Sequence, residues 1–259
     1  MMTFTLAPDT LLAAIPAFFW PLCRIAGMLA LLPGIGGGEV PVRVRIGLAV
    51  ALTLLLSPTL DPVPDIDPLS GAGVLVTASE IATGIAGALV IVVVFNAVMV
   101  AGESIAVTMG LGFALMNDPR NGVQVPTVSQ FYLLMATLLF FALNGHHAVL
   151  ALLGGSFAVL PIGSGLDDDA LLTLLFFAST MFSGALGVAL PALAAMLATN
   201  VAMGVVTRAA PQLNLFSVGF PVTMLVGFVA LMLTLPAFGE SVTGLFESAT
   251  GTLAIVLGG

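Results

Sequence analysis

Acidic side chains inside apolar sequence are the first residues that could do chemistry. Glu80 and Glu103 each lie within a long apolar stretch, and Asn96 precedes Glu103 by seven positions, which places these two on one face of a helix. A charge in a membrane interior is costly, so such residues often line ion paths or proton relays. No basic residue follows at a matching spacing, and a subunit-contact stripe or a helix end in water is therefore the favoured interpretation.

The adjacent histidines His146 and His147 suggest a metal site. Neighbouring residues point to different faces of a helix, and the chain has no HExxH or HxxxH spacing. Cys23 is the single cysteine, which excludes an intrachain disulfide and a cysteine metal cluster. We therefore predict no metal and no cofactor.

Motifs for catalysis are incomplete. Gly163-Ser164-Gly165-Leu166-Asp167 has one residue too many for the GxGD motif of an intramembrane protease, and Tyr132 is followed by leucine instead of aspartate. The segments 102–106 and 154–158 lack the final glycine of a serine nucleophile elbow. The sequence predicts a protein that is not an enzyme.

Composition indicates the elements that position these residues. The chain is 59% hydrophobic and 7% charged, whereas soluble domains carry about 25% charged residues. About 20 apolar residues can span a bilayer as a helix, and uninterrupted apolar runs favour helices over barrel strands. We predict an all-α membrane protein with six to eight helices and broken helical hairpins. The apolar runs are Leu11 to Leu32, Ile46 to Leu56, Val74 to Met116, Val128 to Leu143, Leu171 to Met203 and Leu213 to Phe238.

Several details of these runs are open. Val74 to Met116 is either two helices or one long helix, and a separate weak helix is predicted from Ser241 onward. Gly84 with Ala88, and Gly110 with Ala114, have the spacing of close helix contacts in membranes. The formal net charge of −8 argues against binding to nucleic acid.

Physical reasoning alone leaves two classes of function. Helices interrupted around Pro191 and Pro221 could build the midplane site of a secondary transporter, although the two halves share no evident pattern of breaks. The alternative is a subunit of a membrane assembly.

Four segments in register extend over nearly the whole chain. Together they resemble the FliR family of flagellar export-gate proteins and its virulence type III secretion relatives. The segments are Trp20 to Ala49, Ala101 to Pro119, Phe140 to Gly163 and Asn200 to Pro221.

The resemblance implies a core subunit of the flagellar protein export gate in the bacterial inner membrane, at the flagellar basal body. Such proteins join FliP and FliQ in a closed pore through which unfolded flagellar proteins pass, driven by the proton motive force. A FlhB-like subunit and membrane lipid are further implied partners. Residues 1–165 would form a FliP-like portion and residues 166–259 a FliQ-like hairpin. The virulence type III apparatus is the alternative setting.

The resemblance also implies roles for individual residues. The segment Gly110 to Pro126 would form a plug in the pore, with Phe113 and Met116 as apolar sealing residues, although Met116 stands where relatives often have an aromatic residue. The segment Arg208 to Asn214 would form the turn of the FliQ-like hairpin. The implied plug and pore residues are Gly110, Gly112, Phe113, Met116, Asn117, Asp118 and Pro119. The implied structural or subunit contacts are Pro41, Arg43, Arg45, Glu103, Asn200, Arg208, Pro211 and Gln212.

Overall fold

The protein is all-α in the residues that the computed structural model describes, which are 8–38, 40–60, 63–64, 66–111, 127–210 and 219–258. These residues contain eight α-helices, within the range of six to eight that the sequence predicts, and a short 3₁₀ helix, Ser57–Thr59. The helices are α1 Pro8–Leu31, α2 Val42–Leu56, α3 Gly71–Thr108, α4 Thr127–Ala142, α5 Gly145–Val159, α6 Asp168–Phe177, α7 Thr180–Ala209 and α8 Phe220–Val256.

The longest helices resolve two of the open details. The run from Val74 is one helix, α3, of 38 residues. Helix α8 has 37 residues and continues through Ser241, so the prediction of a separate terminal helix was wrong. Pro236 lies inside α8 without ending it, and neighbouring helices in membrane proteins commonly compensate for the hydrogen bond that a proline removes.

The length and apolar character of the helices fit a membrane protein. Four segments of the described chain are long and apolar enough to cross a bilayer: Val42–Thr59, Gly71–Thr108, Asp168–Ala209 and Phe220–Val256. Helices α4 and α5 pass the same test together but bend by 63° at the break between them. Asn144 lies at this bend with a φ of 56°, a left-handed conformation that asparagine tolerates better than most residues.

The chain divides into two compact units. Unit 1 comprises Met1–Val92, Asn144–Ala178 and Ser248–Gly259. Unit 2 comprises Val93–Leu143 and Ser179–Glu247.

Unit 1 is organised around a close crossing of α1 and α3. A Cβ at Gly84 would overlap the carbonyl oxygen of Arg24, and a Cβ at Gly27 would lie 2.7 Å from the carbonyl oxygen of Ile81. Small residues allow such backbone contact between helices in membranes. Gly84 and Ala88 are both buried, as expected for their predicted contact. Trp20 Nε1 donates a hydrogen bond to Thr77 Oγ1 at 3.2 Å beside this crossing.

Unit 2 has an aromatic core. The ring of Phe95 on α3 lies with its centroid 5.8 Å from that of Phe140 on α4 and 5.6 Å from that of Phe246 on α8. Tyr132 and Phe238 pair in the same way, with centroids 4.6 Å apart. Tilted and edge-on pairs at these distances are favourable beyond the area that they bury. These contacts hold α3, α4 and α8 together within the unit.

Candidate functional site

The C-terminal end of α3 leads into the predicted plug. The amide of Gly110 donates to the carbonyl of Val107, and the amide of Leu111 donates to the carbonyl of Ala106, both at 3.0 Å. With a φ of 84° at Gly110, these bonds form a Schellman motif, which requires a residue that tolerates the left-handed conformation. Gly110 therefore ends the helix, and Ala114, which shares the predicted helix-contact spacing with Gly110, lies outside the described residues. The other plug predictions lie outside the described residues: Gly112, Phe113, Met116, Asn117, Asp118 and Pro119.

Met109, directly before this turn, is fully buried. A Cβ at Gly227 on α8 would lie 2.5 Å from Met109 Cγ and 2.8 Å from Met109 Sδ. The missing side chain at residue 227 thus gives the side chain of Met109 its space. Sequence reasoning missed this contact, since Gly227 is one of 29 glycines and nothing local distinguishes it.

A buried ion pair occupies the interior of unit 1. Arg24 Nε and Glu80 Oε2 are 2.7 Å apart, and the two side chains are 1% and 0% exposed. Arg24 Nη1 donates to Ser156 Oγ at 3.1 Å, and Nη2 donates to the carbonyl of Leu160 at 2.9 Å. The guanidinium carbon lies 4.4 Å from the centroid of the Phe157 ring, a cation–π contact.

Both carboxylate oxygens of Glu80 accept hydrogen bonds. Its Oε1 accepts a hydrogen bond from the backbone amide of Gly163 at 3.0 Å. The pair therefore joins α1, α3, the end of α5 and the loop that follows it. Both charges are neutralised and hydrogen-bonded, so the ion pair links these elements to one another. Glu80 is therefore not an isolated acid on an ion path. Sequence reasoning singled out Glu80 but missed Arg24, because the two residues are 56 positions apart.

The other polar residues predicted on α3 have different environments. Glu103 is exposed and Asn96 is half-buried. Glu103 thus remains available for a subunit contact, and its role stays a prediction. The rings of His146 and His147 lie 4.1 Å apart at the start of α5. No group of three or more potential metal ligands occurs among the described residues.

The remaining predicted contact residues that the structure describes are exposed or partly exposed. Pro41 precedes α2, Arg43 is exposed in its first turn, and Arg45 is partly exposed. Asn200 and Arg208 are exposed on α7. Pro211 and Gln212 lie outside the described residues. The structure contains the chain alone, so contacts at these positions stay predictions.

The comparison with known families covers most of the helices described above. Residues 15–249 match the family "Bacterial export proteins, family 1". The chain belongs to this family.

Individual relatives cover the chain almost from end to end. Flagellar biosynthetic protein FliR of Pectobacterium carotovorum is 37% identical, and FliR of Escherichia coli is 34% identical, each over 93% of this chain and 92% of the relative. FliR of Bacillus subtilis is 27% identical over 96% of this chain and 97% of the relative.

These findings, together with the apolar helices, make this family member a component of the flagellar protein export system in the bacterial inner membrane. The relatives are flagellar proteins, which places the flagellum ahead of the virulence apparatus as the setting. The family is one of bacterial export proteins, which disfavours the secondary solute transporter that physical reasoning left open.

Proposed function

We propose that this chain is a core subunit of the flagellar export gate and forms, with FliP-like and FliQ-like subunits, the pore through which unfolded flagellar proteins are exported. The observation that carries the proposal is the match to FliR proteins over 92% or more of their length. The family match over residues 15–249 spans α2 to α7 in full and most of α1 and α8, which supports a role common to the family.

The surface of unit 2 supports assembly with other helices. Helix α7 exposes bulky apolar side chains at intervals of four and seven residues, a spacing that lines one face of a helix. They are Leu186, Leu190, Leu197, Val201 and Val205. In the strongly apolar stretch within the segment Asp168–Ala209, which includes α7, only 28% of the residues are buried within the chain. A FliQ-like helical hairpin is the partner that we propose for this face, with Asn200 and Arg208 as polar contacts beside it.

The plug is proposed from the resemblance and begins where the described part of α3 ends. Gly110 would act as its fixed base, and Phe113 and Met116 would supply apolar groups that close the lumen. A constriction of flexible apolar side chains can exclude water and ions and still deform around a passing polypeptide. Residues Gly112, Asn117, Asp118 and Pro119 would form the turns of this segment.

The division of this chain into two portions and its further partners are proposed from the resemblance to the FliR family. Residues 1–165 would be the FliP-like portion and residues 166–259 the FliQ-like portion, with the turn near Pro211 and Gln212. A FlhB-like subunit would bind the assembled gate, and unfolded flagellar proteins would be the cargo.

Complementation tests this function. In a flagellated bacterium that lacks its own FliR, expression of the chain should restore swimming and the secretion of flagellin. The matched control is the same strain carrying a chain truncated after residue 209, which lacks the end of the proposed FliQ-like portion. Transport of a small solute by the purified chain in vesicles, without partner subunits and without rescue of motility, would overturn the proposal.

A further inference from the structure

A groove of about 300 Å³ lies between α1 and α2 in unit 1. Helix α1 contributes Leu22, Ala26 and Leu29 to its wall, and α2 contributes Ile46 and Val50. Apart from Arg45, every side chain that lines the groove is apolar. The groove is thus a slot for an apolar chain with one cationic residue at its rim.

The charge is confined to one end of α2. Arg43 and Arg45 both lie in the first two turns, and no acidic residue occupies the first turn. Neither arginine forms an ion pair within the described ranges. The N-cap residue Pro41 offers no capping side chain, so the positive end of the helix dipole adds to the two guanidinium charges.

The side chain of Arg45 is already held in place. Its Nη1 donates to the carbonyl of Gly36 at 2.7 Å and more weakly to that of Ala30 at 3.4 Å. Its Nε is enclosed and has no hydrogen-bond partner. Because this Nε is enclosed, it does not itself reach a ligand. The Arg45 side chain as a whole is partly exposed and forms no ion pair among the described residues, so its guanidinium group can still bind an oxygen ligand. Phosphate oxygens suit the planar guanidinium group best.

The position of α2 in a membrane matches this chemistry. The segment Val42–Thr59 is long and apolar enough to cross a bilayer, and only 11% of it is buried within the chain. A helix that crosses a bilayer places its first turn at the depth of the lipid headgroups and its body among the acyl chains. Basic pockets between membrane helices at this depth are suited to anionic headgroups.

We propose that the groove between α1 and α2 binds one acyl chain of an anionic phospholipid, whose phosphate pairs with Arg45, while the nearby charge of Arg43 attracts the same headgroup at longer range. A phospholipid has the same arrangement as the groove, with charge at one end and hydrocarbon along the rest. A helix of a partner subunit fits less well, since it would have to place an acidic residue at the edge of an otherwise apolar contact. On this basis Arg43 and Arg45 bind lipid, in place of the subunit contact that the resemblance implies.

Lipid titration of the purified full-length chain in detergent, followed by native mass spectrometry, tests the proposal. Phosphatidylglycerol is compared with phosphatidylcholine of identical acyl chains. Each arginine near an anionic headgroup contributes about 1 kcal/mol, so we expect at least about fivefold tighter binding of phosphatidylglycerol. Arg45→Gln should abolish most of this preference. Arg208→Gln removes the same charge from α7 and should leave the preference unchanged.

A second variant tests the apolar slot independently of charge. Ala26 is exposed and lines the groove, so Ala26→Phe should weaken the binding of both lipids. If Arg45→Gln fails to fold because the contacts to Gly36 and Ala30 are lost, Arg43→Gln replaces it. That side chain is exposed, and its loss should reduce the preference for phosphatidylglycerol severalfold.

Three results would overturn the lipid site. They are equal binding of the two lipids to the unmodified chain, equal effects of the substitutions at Arg45 and Arg208, and unchanged lipid binding by Ala26→Phe. If Ala26→Phe instead blocks assembly with FliP-like subunits while lipid binding stays intact, the groove is a protein interface. If the unmodified chain binds lipid as expected but fails to restore flagellar export in the complementation experiment, that result would count against the proposed function alone.

Discussion

Gly227 on α8 lies directly against Met109 at the end of α3. A Cβ at residue 227 would come within 2.5 Å of Met109 Cγ, and Met109 is fully enclosed. The next residue, Gly110, ends the helix. This contact therefore lies directly beside the start of the proposed plug.

Substitution Gly227→Ala should destabilise unit 2, because the added methyl group forces Met109 out of its position. Overpacking of this kind costs about 1–3 kcal/mol, of which the better helix propensity of alanine offsets up to about 1 kcal/mol. The expected result is a lower midpoint of thermal unfolding for the purified protein in detergent.

Two further variants identify the cause. Gly239→Ala lies on the same helix, where an added Cβ meets nothing within 4 Å, and it should leave the unfolding midpoint unchanged or raise it. In the double variant Met109→Ala and Gly227→Ala, the methyl group at residue 227 has room, so the two effects should be less than additive. Strict additivity would show that the two residues do not interact.

Substitution Arg24→Met should be among the most damaging changes in unit 1. It leaves the Glu80 carboxylate buried without its partner, which typically costs about 3–5 kcal/mol. The expected result is a large drop in thermal stability or in the yield of folded protein. Arg208→Met, at an exposed position, should change stability by less than about 0.5 kcal/mol.

The double variant Arg24→Met and Glu80→Met distinguishes the cost of an unpaired buried charge from the loss of the other contacts. It leaves no isolated charge, so it should be more stable than Arg24→Met alone even though Ser156 and Leu160 lose a donor. Unfolding of both variants in detergent provides the comparison. A double variant less stable than either single one would contradict the role of the pair as a mutually neutralised unit.

The fold was largely predictable because long apolar runs have few alternatives to helix in a membrane. The all-α class, the number of helices and a buried contact at Gly84 all follow from that constraint. The extent of α8 was misjudged because the apolar run ends at Phe238, whereas the helix continues through Ser241 to Val256 with Pro236 inside it.

The site was less predictable, since its key contacts join distant positions. The carboxylate of Glu80 drew attention by its burial in apolar sequence, but its partner Arg24 was recognisable only in three dimensions. The same holds for Met109 and Gly227, which are apolar residues in apolar runs. Gly110 was placed in the plug from the resemblance, and its positive φ identifies it as the end of the preceding helix.

Substitution Gly84→Ala tests the close crossing of α1 and α3. Because the new Cβ would overlap the carbonyl oxygen of Arg24, the two helices must separate, and the ion pair beside them is disturbed as well. We expect a clear loss of thermal stability. Gly155→Ala in α5 is the matched control, since an added Cβ there meets nothing within 4 Å; an equal loss in both variants would argue against the crossing.

Deletion of residues 112–123 should make the assembled pore leak ions if this segment is the plug. The physical reason is the removal of Phe113 and Met116, the proposed apolar seal. Ion conductance across planar bilayers that contain the complex would be compared with that of the complete assembly. Unchanged conductance would show that the lumen is closed elsewhere.

Stable association with FliP-like and FliQ-like subunits is the first requirement of an export-gate subunit. An affinity-tagged full-length chain would be coexpressed with both proteins from the same bacterium, purified in mild detergent and weighed by native mass spectrometry. We predict a single complex that contains all three proteins in a fixed ratio. A chain that purifies alone, while the FliP-like and FliQ-like proteins assemble without it, would contradict the proposed function.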